Sequence, residues 1–359
     1  MRVAHVLGSL RPSGMERMLL SSQMYMQQEG IEGIVIGQGS EHPFRADLEN
    51  SGMEVHLIPP LTSIRGGLAL IAALRMIRPD VVHIHTEGGY GLSAPIARMV
   101  AGKSVRIIRT IHSIFQPIST RARLSRFIQH RVADRFVDHL VAVSSGVMEN
   151  EARFGRSCHV ILNWVDDRYF EHDGGGACAG ITPIVTLVGN CSHLKNHLPV
   201  ISAVRDLPGV SLAHLGDETC AGHLEEGLLA RLTDDGRVSA RGVADPYEVL
   251  ADTAIFCMPS RNEGMGIALA EALAMGLPCL IADIKGLAWA AGFEGVGVVA
   301  KDDGWTEAIS SWIANLGAST RFERDTELLS ARVGTARYVA LYGGVRQGRG
   351  GRAERCTSV

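Results

Sequence analysis

The chain has 359 residues, with 35 Lys or Arg against 38 Asp or Glu, a formal net charge of -3 and 46% hydrophobic residues. This length suits one large domain or two of ordinary size, and the balance is that of a globular protein rather than a disordered one. The absence of a basic excess argues against nucleic acid as a partner. The seven cysteines, at 158, 178, 191, 220, 257, 279 and 356, include no close pair with metal-ligand spacing and read as reduced thiols.

The N-terminal apolar run Val3 to Leu7 is too short and interrupted for a signal peptide. No stretch approaches the roughly 18 to 20 apolar residues that a membrane span needs. A cytoplasmic protein is therefore expected. Arg2 to Leu7 reads as a strand, followed by a turn and a helix from Glu16. Further strands are predicted at Gly33 to Ile36, Val55 to Ile58, Val81 to His85, Val105 to Ile111 and Leu140 to Val143, separated by helical stretches such as Leu68 to Met76. Strands apolar on both faces and spaced by helices imply a parallel sheet covered on both sides.

The pattern breaks between Asn163 and Pro183, where Gly174, Gly175, Gly176 and Gly180 suggest a linker. It restarts with strands at Ile184 to Val188, Ser211 to Leu215, Val238 to Ala240, Ile255 to Met258, Cys279 to Ala282 and Val296 to Ala300. The expected organisation is a domain over 1–165, a linker over 166–182, a second domain over 183–318, a helix within 319–343 that crosses back, and a disordered tail over 344–359. In two facing Rossmann-like domains, ligands bind beyond the carboxyl ends of the strands, which puts the site in the cleft between them.

The run from Pro259 to Pro278 carries the most chemistry. Gly264 and Gly266 precede a helix that Gly276 and Pro278 close. Amides at a helix start bind anions, and carboxylates accept the paired hydroxyls of a sugar or ribose. Glu263 and Glu271 stand eight residues apart, a little over two helical turns, which puts them on nearly the same face about 12 Å from each other. Taken alone, the two glutamates read equally well as a helix N-terminal charge and an exposed face.

The setting Glu263-Gly264-Met265-Gly266 closed by Glu271, together with the run Asp245 to Ser260 just upstream, resembles glycosyltransferase family 4, retaining enzymes of the GT-B fold. The resemblance extends from the N-terminus to about Leu316. It implies an α/β protein of two facing Rossmann-like domains with a cleft between them. It further implies that Glu271 binds the donor ribose, that Glu263 binds the transferred sugar, and that the amides of Gly264, Met265, Gly266 and Ile267 hold sugar hydroxyls and the distal phosphate. Lys195 matches a family lysine that steadies the diphosphate, whereas Asn190 stands where the family has an arginine, with Arg261 a nearby substitute. Ser13-Gly14-Met15-Glu16 matches a Gly-Gly-x-Glu loop at the donor phosphate, with Ser13 replacing the first glycine. His112 matches a histidine facing the sugar and the reaction centre, and so joins Glu263 as a catalytic candidate. Val143-Ser-Ser-Gly146 and Asn163-Trp-Val-Asp166 match further segments, with Trp164 in place of a glycine.

His83 and His85 alternate on one strand face; lining the core or cleft suits them better than metal, since no third ligand presents itself. Lys103 to Arg131 holds seven Lys or Arg and no acidic residue. Leu124, Phe127, Ile128, Val132 and Phe136 share a helical face there. A core-facing helix with a solvated basic side is the preferred reading, and peripheral contact of 103–136 with an anionic membrane is the alternative.

The expected activity is transfer of a sugar from a nucleotide-diphosphate donor to an unidentified hydroxyl acceptor, with no metal or other cofactor. A nucleotide-sugar epimerase on the same scaffold and a non-catalytic nucleotide-sugar-binding protein are the alternatives. A dinucleotide-dependent dehydrogenase is excluded, because the first turn has only Gly8 and Gly14 and no acidic residue ends the second strand at Ile36-Gly37-Gln38.

Overall fold

Each domain is built by strands too apolar to leave either face in water. Val81–Ile84 and Ile255–Met258 are buried at every position. The computed structural model describes residues 1–87, 89–115, 119–171, 182–316 and 320–343. The glycines at 174–176 and 180 and the tail at 344–359 lie outside the described residues.

The first unit runs β1 (Arg2–Val6), α1 (Gly14–Gln28), β2 (Glu32–Gln38), α2 (Arg45–Asn50), β3 (Glu54–Ile58), α3 (Ile64–Ile77), β4 (Val81–Ile84), α4 (Tyr90–Ala101), β5 (Arg106–Ile111), α5 (Thr120–Ala133), β6 (His139–Ala142), α6 (Ser145–Ala152) and β7 (His159–Val160). Its seven strands are all parallel, in the order β3-β2-β1-β4-β5-β6-β7. The second runs β8 (Ile184–Val188), α7 (Leu198–Asp206), β9 (Ser211–Leu215), α8 (His223–Asp234), β10 (Val238–Gly242), α9 (Pro246–Ala251), β11 (Ile255–Met258), α10 (Ile267–Ala274), β12 (Cys279–Ala282), β13 (Val296–Val299) and α11 (Trp305–Leu316). Its six parallel strands are ordered β10-β9-β8-β11-β12-β13. Both orders reverse at the first strand, between β1 and β4 and between β8 and β11, and such switch points open a crevice at the strand ends.

The final helix, α12 (Ala331–Gly343), packs against α1 of the first unit. Local signals set several boundaries. Ser63 caps α3 through its hydroxyl, and Asp245 caps α9 with Pro246 in the first turn. Gly266, in the left-handed region at φ 81°, starts α10, and no side chain caps that helix.

The two units share an apolar seam. Ile111, Ile114, Val143 and Val147 from the first cluster with Met265, Leu269 and Leu287 from the second. No helix among the described residues is long and apolar enough to cross a membrane.

α5 departs from the sequence expectation. Leu124, Phe127 and Val132 are exposed, while His130 and Ala133 are buried. The helix does not turn that apolar face to the core. The side chain of Ile128 lies outside the described residues, and Phe136 packs beside the core cluster of the first sheet. The basic run is not uniformly solvated either. Arg109 is buried with its guanidinium 3.5 Å from the centre of the Tyr90 ring, and Arg126 stacks on Phe115. Arg106 donates to the carbonyls of Leu341 and Tyr342.

Candidate active site

The carboxyl ends of β8 and β11 bring the phosphate-type loop and the glutamate loop together. Lys195 follows β8, and its Nζ lies 2.7 Å from Oε1 of Glu263, which follows β11. Ser260 donates to the same oxygen at 2.8 Å. Both side chains of the ion pair keep access to solvent at the cleft.

Glu263 sits in the loop ahead of α10, and only the last part of the Glu263–Glu271 interval is helical. The helical spacing of about 12 Å expected from sequence therefore does not apply. Glu271 lies inside α10 and is buried. Burial pushes its carboxyl up to about 7, while Arg17, Tyr169 and Arg168 hold it down and Asp245 opposes them. Arg17 belongs to α1, so the first unit supplies positive charge to a carboxylate of the second. Arg168 is fixed by two hydrogen bonds to Asp245, at 2.7 and 2.8 Å. Nothing in the sequence pattern singled out Arg17, Arg168 or Tyr169, because their relation to Glu271 exists only across the seam.

The loop Gly264 to Ile267 is held from both sides. The Gly264 carbonyl accepts the Ser144 hydroxyl, and Asn262 donates to the Ile114 carbonyl at 3.1 Å. A side chain at 264 would overlap the carbonyl of His112, so a glycine is required by the close approach of the two units. Met265 is buried in the seam, its sulfur 3.0 Å from the Asn163 amide and its carbonyl accepting from Trp289 at 2.8 Å. Ile267 packs beneath Gly14, where an added Cβ would lie 2.6 Å from its Cδ1.

In the facing loop, Ser13 does not cap α1 but donates to Glu16, whose carboxyl is buried and raised in pKa by that burial. The serine that replaces a glycine here thus partners the glutamate. Asn190 is likewise engaged: its Oδ1 accepts from the Asp217 amide at 2.9 Å. Arg261 is turned to His193 and Asp302.

His112 follows β5 at the seam, and its Nε2 lies 3.1 Å from Nδ1 of His85, whose Nε2 lies 3.2 Å from Nδ1 of His5. Removal from water lowers His112 to about 4 and His5 to about 3. All three imidazoles are neutral at physiological pH. The structure does bring a third histidine, His5, to His83 and His85, which the strand spacing did not reveal; both ring nitrogens of His83 face hydroxyls, those of Tyr342 and Thr110, each at 2.7 Å.

A family model described as Glycosyltransferase Family 4 matches residues 12–169, and one described as Glycosyl transferases group 1 matches residues 182–315. These two matches, one to each unit, support a glycosyltransferase of the family 4 type. This transferase is similar to a GDP-mannose-dependent alpha-mannosyltransferase of Mycolicibacterium smegmatis, 28% identical over 318 residues that cover 80% of each chain. Among solved structures it resembles a glycosyltransferase from Rickettsia africae, with a TM-score of 0.75 at 15% identity over 95% of this chain and 97% of that one. It also resembles Anabaena HepE in complex with UDP-glucose, with a TM-score of 0.72 at 17% identity over 94% and 95%. At such identities these structures speak for the fold alone: two facing Rossmann-like domains of the GT-B type.

Proposed function

We propose that this glycosyltransferase moves a sugar from a nucleoside-diphosphate donor to a hydroxyl acceptor with retention at the anomeric carbon, in glycan or cell-envelope biosynthesis. The observation that carries the reading is the pairing of Lys195 with Glu263 in front of the uncapped N-terminus of α10, with Glu271 buried behind them. That arrangement offers a cation and free amides to a diphosphate, and carboxylates to the sugar and ribose on either side. The relatives support a nucleotide-sugar donor: one is named for GDP-mannose, and another was solved with UDP-glucose.

In this reading Glu271 accepts the ribose hydroxyls, Lys195 and the amides from Gly264 to Ile267 take the diphosphate, and Glu263 and His112 face the sugar. The bond from the anomeric carbon to the phosphate oxygen breaks as the acceptor oxygen bonds on the same face. The departing phosphate oxygen takes the acceptor proton. The protein contributes positioning and electrostatic stabilisation of the leaving group. Lys195 and helix amides supply that positive charge, so the chemistry needs no metal.

An epimerase would release an altered nucleotide sugar without an acceptor, and a binding protein would leave the donor intact. A thermal-shift screen against nucleotide sugars identifies the donor, because a ligand that binds the native state raises its melting temperature. Incubation of that donor with and without candidate hydroxyl acceptors then decides. Free nucleoside diphosphate with a glycosylated acceptor of unchanged anomeric configuration is expected. An inverted product would refute retention, and an isomerised or untouched donor would refute transfer.

The exposure of Leu124, Phe127 and Val132 favours the membrane form of the basic segment, with Arg121, Arg123 and Arg131 exposed on the same helix. The neighbouring helices α3 and α4 add exposed Ile64, Leu68, Leu92 and Met99. Stronger co-sedimentation with anionic than with neutral vesicles at low salt is expected. Equal, negligible binding to both would eliminate this contact.

A further inference from the structure

Behind the loop that carries Lys195, four side chains from four separate positions in the second unit converge. Cys191 comes from the loop itself, His197 from the start of α7, His214 from β9 and Glu225 from the first turn of α8. All four are buried, and one ligand atom of each lies within 4.8 Å of every other. His197 Nδ1 is 3.0 Å from His214 Nε2, Cys191 Sγ is 3.5 Å from the same nitrogen, and Glu225 Oε1 is 3.9 Å from His197 Nδ1. A tetrahedral zinc ion with bonds of about 2.0 to 2.3 Å sets its ligands roughly 3.3 to 3.8 Å apart. The observed spacings bracket that range.

Three further features favour a cation over a plain hydrogen-bonded cluster. Oε1 of Glu225 is buried with no hydrogen-bond partner among the described residues. Leaving such an oxygen unsatisfied is costly, and a cation removes the cost. His214 turns its other nitrogen, Nδ1, to Glu218 at 3.2 Å, and Arg241 fixes that carboxylate at 2.7 to 3.0 Å. A carboxylate behind a histidine is the arrangement that orients an imidazole toward a metal and leaves its Nε2 lone pair free. The charges also balance: one thiolate and one carboxylate with two neutral imidazoles neutralise a divalent ion. A cavity of 520 Å³ lined in part by Ser192, Cys220, His223 and Glu225 gives an ion a route in.

We propose that Cys191, His197, His214 and Glu225 bind one zinc ion, which fastens the back of the Lys195 loop to β9 and α8. Four protein ligands close the coordination sphere, so the ion is structural and takes no part in sugar transfer. The sequence hid this site because its ligands include a single cysteine and are spread over 35 positions, from Cys191 to Glu225.

The test uses the full chain, produced with zinc in the medium and dialysed. About one zinc per chain is expected by elemental mass spectrometry. Replacement by Co²⁺ should give the absorption of a tetrahedral ion with a thiolate-to-metal charge-transfer band. Cys220→Ser removes the exposed thiol of the cavity and should keep that band; Cys191→Ser should lose it. His197→Ala with His214→Ala should lose most of the metal. If these variants fail to fold, the wild-type cobalt spectrum and zinc content still decide. A folded wild-type chain with neither zinc nor a thiolate band, or a Cys191→Ser protein with an unchanged spectrum, would overturn the proposal. None of these readouts depends on the sugar donor, so failure here leaves the transferase reading untouched.

Discussion

Gly334 of α12 lies so close to the indole of Trp164 that a side chain at 334 would overlap the ring. The indole nitrogen donates to the Met18 carbonyl of α1 at 2.8 Å, and the ring meets Tyr338 of α12 edge-on. Trp164 therefore pins the returning helix to the first unit. Trp164→Gly should destabilise the protein by about 3 to 5 kcal/mol, the usual cost of deleting a buried aromatic side chain. Gly334→Ala should also destabilise, through overlap. The double variant should lose less than the sum, because a glycine at 164 gives the new methyl room. Denaturant unfolding of the four proteins measures this coupling, and strict additivity would show that the two positions do not share a cavity.

This pair also marks the limit of what the sequence disclosed. Buried strands announce themselves by composition, and Ile184 to Val188, Ser211 to Leu215, Ile255 to Met258 and Cys279 to Ala282 have the observed bounds. The loops after β8 and β11 were legible because glycines and charged residues interrupt apolar runs. Relations across the seam were not. Arg17 beside Glu271, Ser144 beneath Gly264 and Gly334 beside Trp164 depend on how two units pack, and periodicity within one element carries no trace of that. α5 shows the same limit in reverse: its apolar spacing was visible, but the direction it faces was not.

Lys195 is the cation placed closest to Glu263, and Asn190 supplies no positive charge in place of the family's arginine. Lys195→Ala should weaken donor binding by about 1.5 to 3 kcal/mol, the range for a charge-assisted hydrogen bond. Calorimetric titration with the nucleoside diphosphate measures it. An unchanged affinity and rate would remove Lys195 from the donor site.

Four histidines of the first unit make folding acid-sensitive. Burial holds His5 to about 3 and His112 to about 4, and keeps His83 and His85 well below the ordinary value. Below about pH 6.5 the unfolded chain binds protons that these folded imidazoles refuse, so stability falls as pH drops. The contribution is fully present above 6.5 and is lost through the range down to the folded values. A melting temperature that falls steadily from pH 7 to pH 5 is expected. His83→Gln should flatten that fall; an identical pH profile in the variant would contradict the assignment of His83 as a buried neutral ring.

Glu263 and Glu271 should separate rate from binding. Glu263, in the open loop with Lys195, faces the transferred sugar in the proposed reading, so Glu263→Gln should chiefly lower kcat. Glu271, assigned to the ribose in the same reading, should chiefly set affinity for the nucleotide, so Glu271→Gln should raise KM for the donor and weaken the bare nucleoside diphosphate. The pH dependence sharpens the distinction. Burial raises the Glu271 carboxyl to about 7. Below that value it is protonated and a poorer acceptor for ribose hydroxyls, so wild-type nucleotide affinity should increase from pH 6 to pH 8. Glu271→Gln has no such proton to lose and should bind with a flatter profile. The sign for stability without donor runs the other way. A raised carboxyl stabilises the folded state below its unfolded value, and that contribution is lost as pH rises through 7. Glu271→Gln should therefore gain on wild type at pH 8, by up to about 3 kcal/mol. Gln keeps the volume and helix propensity of Glu, so both variants should remain folded. Steady-state kinetics with the donor varied, calorimetric binding of the nucleoside diphosphate at pH 6 and 8, and melting curves at the same pH values make the comparison. Wild-type nucleotide affinity in Glu271→Gln at both pH values would exclude the ribose role, and full activity in both variants would remove the two carboxylates from the site.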